Sequence, residues 1–287
     1  MRRILYCVTA ILICELATAA DADKYDLQYR FRKGEVLRTE VLQQVSVDVT
    51  IKDSNQTDET RSGSVKTWQI ESADAGKITF VHSVESIKLW QKQQGKPEIS
   101  YDSTSGDPPR SEYEAAAKSV GVPLTTFTID VHGKILDRES AQPGSVAAHN
   151  DQILLLLPEK PVALGEYWTT PQDIDITLPQ SGRKSIRTRQ QCVMEKIEHG
   201  IAHIKVDSQV LTPIDDPQVE AQLIQRMSSG TVLFDIEAGR MVEQQMDVDR
   251  RIVGVSGPGS VMHYQGRFSE KTLPAEQQAK RAGTSRE

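Results

Sequence analysis

The chain has 287 residues, of which 38% are hydrophobic and 26% are charged, and its formal net charge is -6 at pH 7. This length suits one or two domains whose core is large enough to need no disulfides. The acidic balance, with no basic run of five or more residues, argues against nucleic acid or an anionic membrane surface as a partner.

The first 20 residues have the order of a secretory signal peptide. Two arginines are followed by an apolar run from Ile4 to Cys14 and then by small residues up to Ala20. The run of roughly 11 residues is too short to cross a bilayer as a helix, which takes about 20. It also lacks the signals for lipidation and for twin-arginine export. We therefore expect a periplasmic or secreted protein that begins near Asp21 and has no membrane-spanning segment.

The cysteine content agrees with an exported protein. Cys7 and Cys14 lie in the signal peptide, so the mature chain keeps only Cys192 and has no intramolecular disulfide. Cys192 lies in a strand-like stretch with no helix start beside it to activate a thiolate. We interpret it as a packed thiol rather than a nucleophile.

Apolar and polar residues alternate along much of the mature sequence. The pattern is longest in the ranges 41–51, 201–210 and 241–252. Alternation with a period of two is typical of a strand with one dry and one wet face, which indicates antiparallel sheet.

Three short segments have helical signals. Asp107 reads as the N-cap of a helix over Ser111–Val120, which ends before a glycine. Two further helices are predicted over Ala147–Leu157 and Pro217–Met227, the second preceded by two aspartates.

The order strand, hairpin, helix and Asp-containing hairpin occurs twice in the chain. The first hairpins turn at Gly76 and Gly200, and the copies open near Gly34 and Gly165. The pattern predicts a divergent internal duplication. The alternative is that such glycine turns recur in any antiparallel protein.

These elements predict a mainly β (α+β) protein with long curved antiparallel sheets in two related halves. The arrangement would be half-barrel or sandwich-like, with about three short helices. The expected organisation is a signal peptide (1–20), a first β-rich module (24–140), a helical linker (141–161), a second β-rich module (162–272) and a disordered tail (273–287).

Several turns and strand ends resemble a known family. They are Leu157–Val162, Gly165–Trp168, Phe127–Leu136 and Phe234–Val242. Together they resemble an uncharacterised family of exported bacterial proteins common in planctomycetes. The resemblance implies a secreted domain of unknown function and supplies no catalytic residues. A curled antiparallel sheet is also loosely similar to periplasmic lipoprotein-carrier half-barrels, at the level of the fold alone.

Motifs for metal or nucleophile chemistry are missing from the sequence. His199 and His203 have a spacing that pairs ligands on a helix, but the pattern places them across a turn and along a strand. The chain has no nucleophile elbow, Walker loop or dinucleotide fingerprint. The glycine-rich run Gly254–Ser260 reads as a hairpin connection. We predict no metal, no cofactor and no catalytic residues.

Two pairs of carboxylates are the remaining candidates for catalytic residues. Asp173 with Asp175, and Asp247 with Asp249, are spaced so that each pair shares the wet face of a strand. A solvated face is the interpretation that we favour, and an envelope-polymer hydrolase that uses Asp247 and Asp249 is the alternative.

Three tryptophans are the candidates for ligand binding: Trp68, Trp90 and Trp168. Indole rings suit concave apolar sites, although they also anchor cores. We therefore predict an exported non-enzymatic envelope protein that binds a lipid, another apolar small molecule or a protein partner. A purely structural or assembly role is the third possibility.

Overall fold

The computed structural model describes residues 23–141, 153–178 and 182–274. Its strands, in chain order, are β1 (Lys24–Tyr25), β2 (Val36–Ile51), β3 (Ser54–Asp74), β4 (Lys77–Gln93), β5 (Ile99–Asp102), β6 (Pro123–Asp130), β7 (Ile135–Ser140), β8 (Val162–Ala163), β9 (Tyr167–Leu178), β10 (Gly182–Glu198), β11 (Ile201–Val210), β12 (Ser229–Asp235), β13 (Arg240–Val253) and β14 (Ser260–Thr272). Two short helices accompany them, α1 (Glu114–Lys118) and α2 (Pro217–Leu223).

One sheet of 12 strands runs through both halves of the chain. Its order is β7-β6-β4-β3-β2-β14-β13-β12-β11-β10-β9, and β5 pairs with β4 beside β6. The two halves join where β14 pairs antiparallel with β2. Within the described ranges the end strands β7 and β9 do not pair with each other, so the sheet is open. The prediction of a mainly β protein built on a large antiparallel sheet is confirmed.

The sheet has an inner face and an outer face, which we define by the main core. That core gathers apolar side chains from one face of both halves, including Trp68, Phe80, Met194 and Phe234. Because directly paired residues share a face, the register of each strand pair assigns the rest. The core fills the end of the sheet where β4 and β11 begin, which we call the near end. Both helices lie towards the opposite, far end.

Backbone hydrogen bonds show that the sheet is strongly curled. Tyr29 N donates to Val131 O at 2.7 Å, and Arg30 N donates to Gly239 O at 2.8 Å. Val131 follows β6 and Gly239 precedes β13, and these strands stand five intervals apart in the sheet. In a flat sheet they would be roughly 24 Å apart, at about 4.8 Å per strand. Two consecutive residues reach both turns only because the sheet bends around them.

Two extended segments close the near end. The segment before β2 places Leu27, Tyr29 and Phe31 in the core, and the segment before β8 adds Leu154, Leu155 and Leu157. The buried Tyr29 hydroxyl donates to Leu155 O at 2.9 Å, which ties one segment to the other. β1 and β8 also pair with each other.

Glycines in two turns allow the first segment to cross so closely. At Gly133 an added Cβ would lie 2.8 Å from the Tyr29 ring, and at Gly239 it would lie 2.6 Å from the Arg30 side chain. Both residues also have positive φ, which other residue types rarely adopt. The Asp-containing hairpins predicted from the sequence therefore anchor the N-terminal segment.

The two halves have matching backbone details. β3 turns into β4 at Ala75–Gly76 and β10 turns into β11 at His199–Gly200, with positive φ at all of these residues. An irregularity in the pairing follows Ile70 in the first half and Met194 in the second. When the halves are aligned on these turns, the two irregularities fall at equivalent positions.

The turns before β2 and β9 match as well. Gly34 N donates to Ile70 O, and Gly165 N donates to Met194 O, both at 2.8 Å. Next to these glycines, Glu35 accepts a hydrogen bond from Arg32 N and Glu166 accepts one from Ala163 N. The glycines expected to open the two copies thus make the same contact in each.

The helices agree with the sequence only in part. Asp216 caps α2 by accepting from Gln218 N, with proline in the first turn. Asp107 does not cap α1, because a short 3-10 turn begins at Ser111 without any side-chain cap. Two successive prolines after Asp107 favour extended backbone there. Of the helix predicted over Ala147–Leu157, residues 147–152 lie outside the described residues, and residues 153–157 are not helical.

Candidate functional site

The three tryptophans do not meet in one site. Trp68 lies on the inner face, 7% exposed, and stacks on Phe80 with ring centroids 4.9 Å apart. Trp168 packs against the same core from β9, and its indole Nε1 donates to Leu156 O at 2.9 Å. Trp90 lies on the outer face, where the Arg61 guanidinium stands 4.5 Å from its ring centre.

A pocket beside Trp68 is too small for a lipid. Its volume is about 20 Å³, which suits one water molecule. Its lining comes from both halves of the chain and from the segments that close the near end: Tyr29, Phe31, Leu37, Thr39, Trp68, Leu154, Arg240, Met241 and Thr272. The near end is therefore tightly packed around this tryptophan.

An open groove runs along β3 on the inner face, towards the far end. Its floor consists of small residues on β3, and the neighbouring strands supply its walls, which are apolar except for two glutamines. The floor is Ser64, Ser62 and Thr60; one wall is Val41, Gln43 and Val45 of β2; the other is Ile87, Leu89 and Gln91 of β4 with Tyr101 of β5. We call these residues the β3 groove. Small side chains between larger ones leave space above the strand.

The groove walls are only partly covered by protein. Val41 and Ile87 are buried, whereas Val45, Leu89 and Tyr101 are half-buried and Gln43 is exposed. Tyr113, just before α1, stacks on Tyr101 with ring centroids 6.3 Å apart. Helix α1 itself contributes no buried residue. The first half thus keeps accessible apolar surface on its inner face.

Among the described residues of the second half, a helix covers the inner face at the far end. There α2 places Val219 and Leu223 against Ile176 and Ile186 of β9 and β10, and all four side chains are buried. The turn after α2 inserts Ile224 into a further cluster on β13 and β14, against which Val45 and Val47 of β2 also pack. A helix therefore fills in one half the space that the other half leaves open.

The suspected acidic pair on β13 is neutralised on the outer face. Asp247 accepts from Arg267 Nε at 2.6 Å, and Asp249 contacts His263 Nε2 at 2.7 Å. Hydrogen bonds from His263 and Gln265 lower the pKa of the Asp249 carboxyl. Both carboxylates therefore stay ionised and paired, which does not suit a general acid.

The other acidic pair shares that outer face. Asp173 pairs in register with Arg187, and Asp175 with Ser185, on the side of β9 away from the core. The glycine-rich run 254–259 connects β13 to β14, as expected for a hairpin.

His199 and His203 are separated by the geometry of their hairpin. His199 occupies the β10–β11 turn, while His203 Nε2 contacts Glu198 at 3.3 Å. Cys192 is fully buried in the core, and burial raises the pKa of its thiol to about 12. In the described parts of the chain no three metal-ligating side chains come together, and no helix is long and apolar enough to span a membrane.

Sequence reasoning missed the β3 groove. The valines of β2 were recognised as an apolar face, but β3 has a run of serines and threonines that carries no apolar alternation. The signal for a groove was this polar, small-residue strand between two amphipathic ones.

Comparisons with known proteins leave the family open. No protein-family model and no curated protein matches the chain, so the resemblance to planctomycete proteins stays a prediction. Among solved structures, lipovitellin is 12% identical with a TM-score of 0.45, over 86% of this chain and 26% of its own. The chain thus spans about a quarter of lipovitellin.

Two further structures are less similar. DynF from the dynemicin biosynthesis pathway of Micromonospora chersina is 8% identical with a TM-score of 0.26, over 90% of this chain and 89% of its own. A DUF1329 family protein from Desulfovibrio piger is 10% identical with a TM-score of 0.16, over 79% of this chain and 83% of its own. Likenesses this low carry no argument about function.

Proposed function

We propose that this protein is an exported, non-enzymatic carrier that binds an apolar small molecule in the β3 groove. The observation that carries the proposal is the apolar inner face beside β3, where Leu89 and Tyr101 stay half-buried and α1 buries no side chain. The pairing of Asp247 and Asp249 on the outer face favours binding over hydrolysis.

Burial of the groove walls supplies the driving force. Removing apolar surface from water stabilises a complex by roughly 25 cal/mol per Å². A lipid chain laid along β3 would cover Val41 and Val45 on one side and Ile87 and Leu89 on the other. These walls flank the same stretch of β3, so one chain contacts both.

Two leucines on opposite faces of the sheet provide a matched test. Leu89 lies in the groove wall, while Leu42 is 49% exposed on the outer face of β2. We expect Leu89→Asp to weaken binding of the neutral dye phenyl-naphthylamine by roughly tenfold, because a carboxylate would be buried against the ligand. Leu42→Asp should leave dye affinity unchanged. Fluorescence titration of both variants measures the difference, and equal affinities would refute the groove.

Native mass spectrometry can identify the natural ligand of the groove. Protein purified from its own envelope should carry an added mass that denaturation releases as a lipid or another apolar small molecule. A stoichiometric protein in place of a small molecule would contradict the carrier and favour a partner-binding role.

Export rests on the sequence of the first 20 residues and has its own test. We expect N-terminal sequencing of protein from the envelope fraction to begin near Asp21. Retention of full-length chain in the cytoplasm would contradict it.

We also propose that the two halves derive from one duplicated unit. The matched turns at Gly76 and Gly200, and the matched bonds of Gly34 and Gly165, support this. Profiles built separately from homologues of each half should align with these turns in register, and a systematic misalignment would argue for convergence.

A further inference from the structure

Three polar side chains cluster on the inner face where the β3 groove meets the core. Lys66 lies two residues before Trp68 on β3, and both point to the inner face. His82 of β4 pairs with Trp68 on one side and with Thr125 of β6 on the other. Lys66, His82 and Thr125 therefore come from three adjacent strands and share one face.

These side chains have no hydrogen-bond or ion-pair partner among the described residues. The Thr125 hydroxyl is fully buried and makes no hydrogen bond there. The buried carboxylate on this face, Glu270, accepts from Thr39 and Gln244 instead of pairing with Lys66. An anion beside Lys66 would give its ammonium an ion-pair partner that the described residues do not supply.

The equivalent place in the second half carries no charge. When the halves are aligned on the Gly76 and Gly200 turns, Lys66 corresponds to Gln190 and His82 to Val206. Val206 pairs with Gly230, as His82 pairs with Thr125. The framework therefore does not need this polar cluster, and the cluster occurs in the half that has the open groove.

The charge states suit recognition of an anion. Burial, assisted by the nearby Lys66 ammonium, lowers the pKa of His82 to about 4, so its ring is neutral at pH 7. A neutral imidazole keeps one N–H donor. Lys66 then brings a single positive charge with further donors, which matches one carboxylate better than a doubly charged phosphate.

We propose that Lys66 and His82 bind the carboxylate head of a single-chain fatty acid whose hydrocarbon tail lies in the β3 groove. The tail would leave Lys66 along Ser64 and Ser62. Ser62 pairs with Leu89 and lies four residues from Lys66 along β3. The distance from Lys66 to this pair is about 14 Å, at 3.4 Å per residue. That distance is close to one leaflet of a bilayer core, about 15 Å, so an ordinary acyl chain has the required length.

This subsite rests on the proposed carrier function, and the experiment separates the two. Palmitic acid and hexadecanol have the same chain and differ in the head, so their affinities are compared by displacement of phenyl-naphthylamine. Unmodified protein should prefer palmitate by roughly tenfold, the effect of a charge-assisted hydrogen bond. Lys66→Met should abolish that preference while hexadecanol binding stays within about twofold.

Two further variants control for folding and for general charge. Lys66→Arg keeps the positive charge and should restore the preference. Lys92→Met removes an exposed lysine from the outer face of β4 and should leave the preference intact. Equal affinities of unmodified protein for the two ligands, or a preference that survives Lys66→Met, would overturn the carboxylate subsite while leaving the groove. Failure to bind either ligand would overturn the carrier function itself.

Discussion

The two halves of this sheet share a backbone and differ in what covers their inner face. Equivalent turns, equivalent pairing irregularities and equivalent bonds at Gly34 and Gly165 give both halves the same frame. In the second half α2 fills the far end with Leu223 and its neighbours. In the first half α1 buries no side chain. The comparison shows that one backbone frame is covered differently in its two halves and that the helix determines how much apolar surface stays accessible.

The largest expected difference between the halves concerns their helices. Leu223→Ala should lower the free energy of unfolding by about 3 kcal/mol, because it removes a fully buried side chain and leaves a cavity. Ala117→Gly in α1 should cost only about 1 kcal/mol, the difference in helix propensity. Urea unfolding of both variants measures this contrast. Equal losses would mean that α1 also covers a core.

A second difference concerns pH. His82 has a pKa of about 4 when folded, against 6.5 when exposed, so the unfolded chain takes up the proton first. The contribution of neutral His82 to the free energy of unfolding is complete above pH 6.5 and is lost as the pH falls to about 4. The loss should reach up to about 3 kcal/mol, at 1.36 kcal/mol per pKa unit. Val206 occupies the equivalent position in the second half and carries no titratable group.

His82→Gln is the matching variant for that effect. Its unfolding free energy should depend less on pH between 6.5 and 4 than that of unmodified protein, as measured by urea titrations at several pH values. Identical slopes for the two proteins would place the pH dependence elsewhere.

The smallest expected difference lies in the matched turns. The Glu35 carboxylate accepts from Arg32 N and also pairs with Arg240 at 2.6 Å, whereas Glu166 accepts from Ala163 N. Glu35→Gln should therefore cost about 1 kcal/mol more than Glu166→Gln. Thermal unfolding of the two variants compares them. If Arg240→Gln removes the difference, the ion pair is its source.

The strands were the most predictable part of the fold. Ile201–Val210 was identified at its full extent, because alternation follows directly from one dry and one wet face. The hairpins at Gly76 and Gly200 were also predicted correctly, since their turn residues follow local backbone preferences. These features depend on residues that are close in sequence.

Features that depend on distant residues were not predictable. The pairing of β14 with β2, the passage of Tyr29 between two turns and the meeting of Lys66 with His82 and Thr125 all depend on how the sheet curls. Burial of Trp68 beneath the two closing segments and the half-buried state of Leu89 likewise depend on what covers the inner face. Alternation gives the face of a residue, but not what lies above it.

The pairing of β2 with β14 also constrains when the protein can fold during its synthesis. Thr39 pairs with Thr272, so the middle of the sheet closes only after nearly all of the described chain has been synthesised. Until then the 16 residues of β2 form a bare edge that can pair with other chains. Contacts so distant in sequence also form slowly. Such a chain benefits from being held unfolded until its last strand is complete.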